Sequence, residues 1–196
     1  GSLDNLPPSN LPNESLAFAI KRFDSAQNRR IHMEDFAQIL VKYPHEKYNS
    51  ANYEQIAKII DGFSGEGLAD TQQLARRLLA NILLANGDAH LKNWSLLYPD
   101  TITPRLSPAY DIVSTSVYIE TEQQYALNLG GTKSWYQVSY AHFEYWAKKS
   151  GIPWRAIKPH LDDAMEKARS LWPHALKILP MNEEHKQKLI KHWQNL

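Results

Sequence analysis

The apolar positions of this chain recur mostly at intervals of three and four residues, which predicts a largely helical fold. The clearest stripe predicts a helix over residues 70–85, capped by Asp70 or Thr71 and ended by Asn86-Gly87. Similar spacing predicts other helical segments, which cover residues 31–41, 53–63, 139–150, 159–172 and 182–194.

Short apolar runs between turn residues predict a few β-strands. One covers residues 15–23 and is bounded by Pro12 and Asp24-Ser25. The others form two pairs, one from residues 94–98 and 102–106 and one flanking Gly130-Gly131. The predicted fold class is therefore mainly α with a few short strands, an α+β arrangement in which helices dominate.

The first residues differ in composition from the rest of the chain. Residues 1–14 are rich in Pro, Asn and Ser, so they predict a linker, and Gly1-Ser2 resembles the remnant of a cleaved tag. Residues 15–196 are then expected to form one domain. A chain of 196 residues with 43% hydrophobic content can bury one sizeable core.

Composition limits the classes of function. A net charge of +1 gives no bulk attraction to nucleic acid, so direct DNA binding is not expected. The absence of cysteine excludes disulfides, thiolate metal sites and a cysteine nucleophile. No apolar run approaches the roughly 20 residues that span a bilayer. We therefore expect no membrane partner and a cytoplasmic location.

Polar side chains are concentrated in the loop that follows the predicted helix 70–85. This loop holds Asp88 and Asn93, which are separated by 93 − 88 = 5 positions. Protein-kinase catalytic loops use that interval for the aspartate that receives the substrate hydroxyl proton and the asparagine that binds magnesium. Lys92 lies between them and can offset charge on a transferred phosphoryl group.

A magnesium site needs a second oxygen ligand with a formal negative charge. Asp111 supplies it, because it follows the predicted strand 102–106. A hairpin of strands 94–98 and 102–106 would bring this carboxylate back to Asn93. The pattern therefore predicts a magnesium-phosphate site that joins Asp88, Asn93 and Asp111.

Two segments together resemble the signature of the HipA family of toxin kinases. They read Asn-Gly-Asp-Ala-His-Leu-Lys-Asn-Trp-Ser over residues 86–95 and Ser-Pro-Ala-Tyr-Asp-Ile-Val-Ser over residues 107–114. Residues 21–24 resemble the family's hinge, residues 32–38 the helix start that follows it, and residues 127–131 a later strand-turn. The resemblance implies a protein-kinase-like C-lobe of the HipA type, lacking most of the N-lobe, with a hinge strand near residues 16–24.

The resemblance also implies roles for individual residues. Asp88 would be the catalytic base, and Asn93 and Asp111 would hold Mg²⁺. Nucleotide contacts would come from the backbone of Lys21 and Phe23 at the adenine and from Asp24 at the ribose. The full set implied to bind ATP is Lys21, Arg22, Phe23, Asp24, His90, Lys92, Asn93, Tyr110 and Asp111.

The function implied is that of an ATP- and Mg²⁺-dependent serine/threonine protein kinase, a toxin of a toxin-antitoxin system. Implied partners are a helix-turn-helix antitoxin and a translation-related protein substrate such as an aminoacyl-tRNA synthetase. A kinase also needs a glycine-rich loop and a lysine upstream of the hinge, and neither occurs before Lys21. The pattern Gly62-Phe-Ser-Gly65-Glu-Gly67 predicts a turn between helices. We expect a fragment that needs a missing N-terminal lobe and is weak or inactive alone.

Three other functions remain compatible with these residues. A small-molecule phosphotransferase of the aminoglycoside-kinase type shares the Asp-to-Asn spacing. A metal-dependent hydrolase would use Asp88, His90 and Asp111 as ligands. A non-catalytic module would only dock an antitoxin or a protein substrate. Taken alone, Asp88 is also typical of a turn, His90 of a hydrogen-bonded loop and Asp111 of a helix cap before Ile112.

Overall fold

The computed structural model describes residues 20–26, 29–43, 45, 48, 50–119, 121 and 123–196. The predicted boundary between residues 14 and 15 and most of the predicted strand 15–23 lie outside this part. Residues 20–24 form no strand, because Phe23 and Asp24 bend the chain into a short hairpin. The division into a linker and one domain stays a prediction.

Helices dominate the described residues, as the apolar spacing predicts. None of these helices combines the length and the apolar character that a membrane span requires. In chain order the helices are α1 (Phe36–Ile39), α2 (Tyr53–Phe63), α3 (Gly67–Leu83), α4 (Tyr140–Ser150), α5 (Trp154–Ile178) and α6 (Glu183–Asn195).

In the part of the chain that the structure describes, the strands are short and pair antiparallel in three small sheets. The central sheet has the order β3-β4-β5, and the other two sheets are the hairpins β1-β2 and β6-β7. The strands are β1 (Ser25–Ala26), β2 (Arg29–Arg30), β3 (His32–Asp35), β4 (Ser95–Tyr98), β5 (Arg105–Leu106), β6 (Gln124–Leu129) and β7 (Thr132–Ser134).

Helix α3 lies at the centre of the core, where it packs against α2 and α5. Its apolar stripe is buried, and Leu74 and Leu78 are fully inaccessible to solvent. Aromatic side chains fill the space toward β6 and α4, among them Tyr53, Trp135 and Trp146. Burial of such large side chains contributes most of the favourable free energy of folding. The core thus fixes the carboxyl end of α3, where the polar loop begins.

The prediction of a helical segment over residues 31–41 is only partly correct. Residues His32–Asp35 form strand β3, which pairs with β4 from His32 opposite Tyr98 to Asp35 opposite Ser95. This ladder of backbone hydrogen bonds overrides the helical spacing of the apolar side chains. Asp35 then caps the single turn of α1 through a capping box with Gln38.

The predicted start of the long helix is also wrong. Helix α3 begins at Gly67, and Asp70 lies inside its first turn. The Asp70 carboxylate instead accepts hydrogen bonds from the guanidinium of Arg105 and the backbone N–H of Leu106. Gly67 packs so closely on α2 that an added Cβ would come within 2.3 Å of the Asp61 carbonyl oxygen. The glycine pattern at 62–67 is thus a turn between helices, as predicted.

Two further elements differ in length from the prediction. Strand β5 covers only Arg105–Leu106 because Asp100 accepts the N–H groups of Ile102 and Thr103, which form a turn. Helix α5 extends beyond the predicted 159–172 and contains Pro159 and Pro173 in its interior. The packing of its buried face against α3 and α4 outweighs the helix-breaking tendency of proline. The buried residues of that face are Ile157, Leu161, Ala168 and Leu176.

Candidate functional site

The loop after α3 is held in place by its own polar groups. Ala85 takes a left-handed conformation with φ of 52°, which turns the chain out of the helix. The Asn86 amide then donates to Asn81 Oδ1 at 2.7 Å, and Asn86 Oδ1 accepts the backbone N–H of Asp88 at 3.0 Å. Asn86 and Asn81 are both buried, so these bonds satisfy groups that water cannot reach. The Asn86 side chain therefore helps to fix the backbone position of Asp88 after the end of the helix.

Side chains from distant segments fix the rest of the loop. Thr115 Oγ1 accepts the Gly87 N–H at 2.8 Å and donates to the Ala85 carbonyl at 3.2 Å. The Ala89 carbonyl accepts from Tyr53 Oη at 2.8 Å and from Trp94 Nε1 at 3.1 Å. Each end of the loop is thus anchored to the core.

Asp88 projects from this anchored loop toward solvent. Its side chain is 48% exposed and its Oδ1 accepts a hydrogen bond of 2.7 Å from the Tyr48 hydroxyl. His90 is buried, and its Nε2 lies 3.7 Å from the same oxygen. The rings of Tyr48 and His90 meet edge to face at a centroid distance of 5.2 Å. The carboxylate is therefore oriented by two aromatic neighbours while it stays accessible from outside.

Asn93 and Asp111 meet directly on the other side of the loop. Asn93 Nδ2 donates to Asp111 Oδ2 at 2.6 Å, across the hairpin formed by β4 and β5. Asp111 has a φ of 54°, a left-handed conformation that aspartate and asparagine tolerate better than most residues. No helix starts at Ile112, so Asp111 is not a helix cap. The predicted approach of Asp111 to Asn93 is present.

The oxygen of the Asn93 side-chain amide lacks a partner among the residues that the structure describes. Asn93 Oδ1 is buried and accepts no hydrogen bond from a described residue. A buried carbonyl oxygen without a donor is costly, and it is often the sign of a bound ion or water. Amide and carboxylate oxygens are the ligands that Mg²⁺ takes from proteins, usually one or two at a time beside phosphate oxygens. The chemistry of this pair therefore fits a magnesium ion.

Tyr110 connects this pair to the predicted hinge segment. Its hydroxyl donates to the Lys92 carbonyl at 2.7 Å and lies 2.5 Å from Ser95 Oγ, and burial raises the pKa of the phenol. The Tyr110 ring lies 5.7 Å from the ring of Phe23. Phe23, which was predicted to contact adenine, thus lies beside the Asp111 turn.

The remaining predicted nucleotide residues are less closely associated with this centre. Lys21 and Arg22 are exposed, and Arg22 makes a bidentate ion pair with the buried carboxylate of Asp24. The hydrogen bonds from Arg22 lower the pKa of Asp24. Lys92 is also exposed on the loop itself. Asp24 is therefore already engaged, whereas Lys21 and Lys92 extend into solvent.

Helix α6 supports the loop in a way that sequence patterns did not predict. His192 Nε2 lies 2.7 Å from the Ile82 carbonyl, and Trp193 Nε1 donates to the Leu83 carbonyl at 2.7 Å. Both carbonyls belong to the last turn of α3, and the Ile82 carbonyl also accepts the backbone N–H of Ala85 at 3.0 Å. Lys188 Nζ donates to the Val117 carbonyl at 3.2 Å, close to Thr115. Helix α6 thus contacts both the end of α3, where the loop begins, and the segment around Thr115, which holds the loop in place.

We expect His192 to make stability depend on pH. Burial lowers its pKa from the ordinary value of 6.5, so the folded chain favours the neutral imidazole. Above pH 6.5 the imidazole is mostly neutral in both the folded and the unfolded chain. Below pH 6.5 the unfolded chain binds a proton before the folded chain does. The free energy of unfolding therefore decreases as the pH falls, until the pH passes the pKa of the folded state. We expect this imidazole to lower the free energy of unfolding, measured with urea, by at most about 1.4 kcal/mol between pH 7.5 and pH 5.5.

His192→Gln removes this titration, so the variant should lose less stability between the two pH values than the unmodified chain. His174→Gln, on an exposed position of α5, is the matched control and should leave the pH dependence unchanged. Equal pH dependence in His192→Gln and in the unmodified chain would contradict the role given to this imidazole.

Comparison with protein-family models gives a match over residues 5–172 to the HipA-like C-terminal domain. The chain belongs to this family. The match includes the loop, the Asn93–Asp111 pair and the hinge segment, and it ends within α5, before α6. The family resemblance that the loop motifs indicate is therefore confirmed.

Two curated relatives carry the names of kinases. The chain is 41% identical over 165 residues to "Putative kinase Y4dM" of Sinorhizobium fredii, which covers 84% of this chain and 40% of that protein. It is 40% identical over 116 residues to "Putative kinase" of Haemophilus influenzae, which covers 55% and 33% respectively. The chain thus spans between 33% and 40% of the length of these HipA-like relatives.

Two solved structures share the fold. A chain of the Shewanella oneidensis toxin-antitoxin complex of HipA, HipB and operator DNA superposes with a TM-score of 0.71 at 20% identity, covering 89% of this chain and 46% of that one. The Helicobacter pylori proinflammatory kinase CtkA gives a TM-score of 0.52 at 18% identity, covering 88% and 68%. This likeness confirms the predicted kinase-like C-lobe of the HipA type.

Proposed function

We propose that the HipA-like lobe described here serves an ATP- and Mg²⁺-dependent protein kinase that transfers the γ-phosphoryl group to a serine or threonine hydroxyl. The observation that carries this proposal is the Asn93–Asp111 pair, whose buried Asn93 Oδ1 accepts no hydrogen bond from a described residue, together with the exposed Asp88 carboxylate on the loop that also holds Asn93. The kinase names of the two curated relatives support the same reaction class.

Asp88 would act as the base that receives the proton of the acceptor hydroxyl. Its exposed carboxylate already accepts a hydrogen bond of 2.7 Å from the hydroxyl of Tyr48. An incoming serine or threonine would bind the same carboxylate, either at the second oxygen or in place of Tyr48. General base catalysis of this kind contributes on the order of 10²- to 10⁴-fold to the rate.

Asn93 Oδ1 and the Asp111 carboxylate would hold the metal. Mg²⁺ held by these two residues would supply positive charge that offsets the negative charge developing on the phosphoryl group during transfer. The hydrogen bond from Asn93 Nδ2 to Asp111 Oδ2 holds the two side chains together before a ligand arrives, which lowers the entropic cost of binding.

The nucleotide base would lie on the Phe23 and Tyr110 side of this centre. The backbone of Lys21 and Phe23 would contact adenine, and His90 and Lys92 would face the phosphates. Asp24 is engaged by Arg22, so a ribose contact from Asp24 would require that ion pair to open or to share an oxygen. Lys92 is free to turn toward a negatively charged ligand because its side chain is exposed.

The partners follow from the same proposal. The Shewanella structure contains HipA with HipB and operator DNA, and we propose an antitoxin of the helix-turn-helix type for this protein as well. A translation-related protein, such as an aminoacyl-tRNA synthetase, is the proposed substrate, and the cytoplasm is the proposed location. An upstream nucleotide-covering lobe would complete the ATP site.

Transfer from γ-³²P-labelled ATP tests the proposal. The full-length polypeptide that carries this sequence is incubated with the label, Mg²⁺ and cell lysate, and the labelled proteins are separated and hydrolysed. Phosphoserine or phosphothreonine, formed with Mg²⁺ and not with EDTA, is the expected result. Label found only on sugar alcohols would assign a small-molecule phosphotransferase instead, and no transfer to any acceptor would contradict a kinase.

A further inference from the structure

Two surface grooves of this chain join beside Asp88. The first has Gly87, Asp88 and Thr115 on its wall, and the second runs across α2, β6 and α4. Tyr48 and Lys133 line both grooves. One continuous path therefore leads from the exposed carboxylate of the loop to the face formed by α2 and α4.

Lysines from three different elements line the second groove, which we call the lysine groove. They are Lys58 on α2, Lys133 on β7 and Lys149 on α4. Lys58 and Lys149 are exposed, and neither forms a salt bridge with another residue that the structure describes. Lys149 Nζ lies 5.3 Å from the centre of the Tyr145 ring, which also lines the groove. The ammonium groups of Lys58 and Lys149 are thus exposed to an outside anion, whereas Lys133 Nζ donates to the Tyr48 carbonyl at 3.2 Å and to the Ala126 carbonyl at 3.0 Å.

Among the described residues, one carboxyl group lines the same groove, and it interacts electrostatically with Lys58. Glu54 is 7% exposed, and its Oε1 accepts the backbone N–H of Gly130 at 2.7 Å. Burial raises the pKa of Glu54, and the backbone hydrogen bond from Gly130 and the charge of Lys58 oppose that rise. Its Oε2 is buried and has no hydrogen-bond partner among the described residues. The groove is therefore positive in a chain whose net charge is only +1.

The backbone beneath the lysines is well anchored. Asn52 caps α2 in a capping box with Gln55 and also forms a parallel bridge with Asn128 of β6. Asn128 Oδ1 accepts the Gly131 N–H at 2.9 Å, which fixes the β6–β7 turn. The spacing of the lysine-bearing elements is thus set before any ligand binds, and preorganisation of this kind favours an extended ligand.

We propose that the lysine groove binds an acidic segment of the protein substrate while the acceptor hydroxyl lies at Asp88. This inference rests on the proposed function and names its substrate class, a serine or threonine with Asp or Glu residues some positions away along the chain. Charge complementarity is the reason, because carboxylates of an extended peptide would meet the exposed ammonium groups of Lys58 and Lys149. Contacts of this kind give specificity and a faster association that salt weakens.

Peptide binding to the full-length polypeptide that carries this sequence tests the proposal. The probe is a fluorescein-labelled peptide with a central serine and a run of glutamates on one side, and its glutamine counterpart is the neutral comparison. The double variant K58E and K149E should raise the Kd for the glutamate peptide by about tenfold or more, as measured by fluorescence anisotropy at low salt. Lys148→Glu is the matched control, because Lys148 is the exposed neighbour on α4 that does not line the groove.

Lys148→Glu should change that Kd by less than about twofold, and both variants should unfold at the same urea concentration as the unmodified protein. Equal weakening by Lys148→Glu, or equal binding of the glutamine peptide, would overturn the proposal. Tighter binding of a single-stranded oligonucleotide that the double variant abolishes would assign the groove to nucleic acid instead.

The proposed kinase function can fail independently of the groove. Peptide binding that depends on the lysine groove, without any phosphoryl transfer, would contradict the proposed kinase activity but still support binding of acidic peptides at the lysine groove. Transfer to glutamate and glutamine peptides at equal rates and equal affinities would contradict the lysine groove and leave the kinase standing.

Discussion

Replacing Asp88 with asparagine is expected to slow phosphoryl transfer by about 10²- to 10⁴-fold. The amide has the size of the carboxylate and can still accept the Tyr48 hydroxyl, so the loop should keep its shape. It cannot take a proton from the acceptor, which is the step assigned to Asp88. The rate constant at saturating ATP, measured with the full-length polypeptide, checks this expectation.

A matched carboxylate elsewhere separates the chemical effect from a general loss of charge. Asp61 lies exposed on α2, and Asp61→Asn should leave the rate within about twofold of the unmodified protein. If Asp88→Asn kept the full rate while Asp61→Asn did so too, the base would have to be sought among other residues of the groove.

Replacing Asp111 with asparagine is expected to weaken Mg²⁺-dependent nucleotide binding by about tenfold to a hundredfold, the equivalent of one lost charge-assisted contact. Asparagine tolerates the left-handed conformation at φ of 54°, so the backbone should not change. Asparagine can also accept the hydrogen bond from Asn93 Nδ2. The variant thus removes the formal charge and little else. Titration calorimetry with ATP in the presence of Mg²⁺ measures the effect.

The same titration in EDTA provides the control. Without a divalent ion the carboxylate has no metal to bind, so Asp111→Asn and the unmodified protein should bind ATP with similar, weak affinity. An equal loss of affinity with and without Mg²⁺ would mean that Asp111 supports the fold of the nucleotide site and not the metal.

The site could be predicted from sequence where its contacts are local. Asp88 and Asn93 share one loop, and a predicted hairpin separates that loop from Asp111. The structure forms this hairpin between Leu96–Leu97 and Arg105–Leu106, so Asn93 and Asp111 meet across it. Contacts that depend on a turn and two short strands follow from turn chemistry and apolar runs.

Contacts between distant segments could not be predicted in this way. Tyr48 reaches Asp88 across 40 positions, and His192 reaches the Ile82 carbonyl across 110. No periodicity or spacing links such residues, because the packing of α6 against the end of α3 depends on the whole core. The same limit explains why the predicted helix cap at Asp70 was wrong. The Asp70 carboxylate pairs with Arg105, which lies 35 positions away in the sequence.

Secondary structure was hardest to predict where two patterns compete. Residues 31–41 carry apolar side chains at helical spacing, yet His32–Asp35 pair with β4. Helix α5 continues through Pro159 and Pro173 because its buried face packs on neighbouring helices. In both cases tertiary packing outweighs a local preference worth only a few kcal/mol.

The position of a bound metal ion would test directly whether Asn93 and Asp111 hold Mg²⁺. Crystals of the full-length polypeptide with Mn²⁺ in place of Mg²⁺ and a non-hydrolysable ATP analogue would locate the ion by its anomalous scattering. Mn²⁺ is expected about 2.0–2.3 Å from Asn93 Oδ1 and from an Asp111 oxygen, with phosphate oxygens completing its shell. An ion held by other residues, with Asn93 Oδ1 hydrogen-bonded to a protein donor, would contradict this expectation.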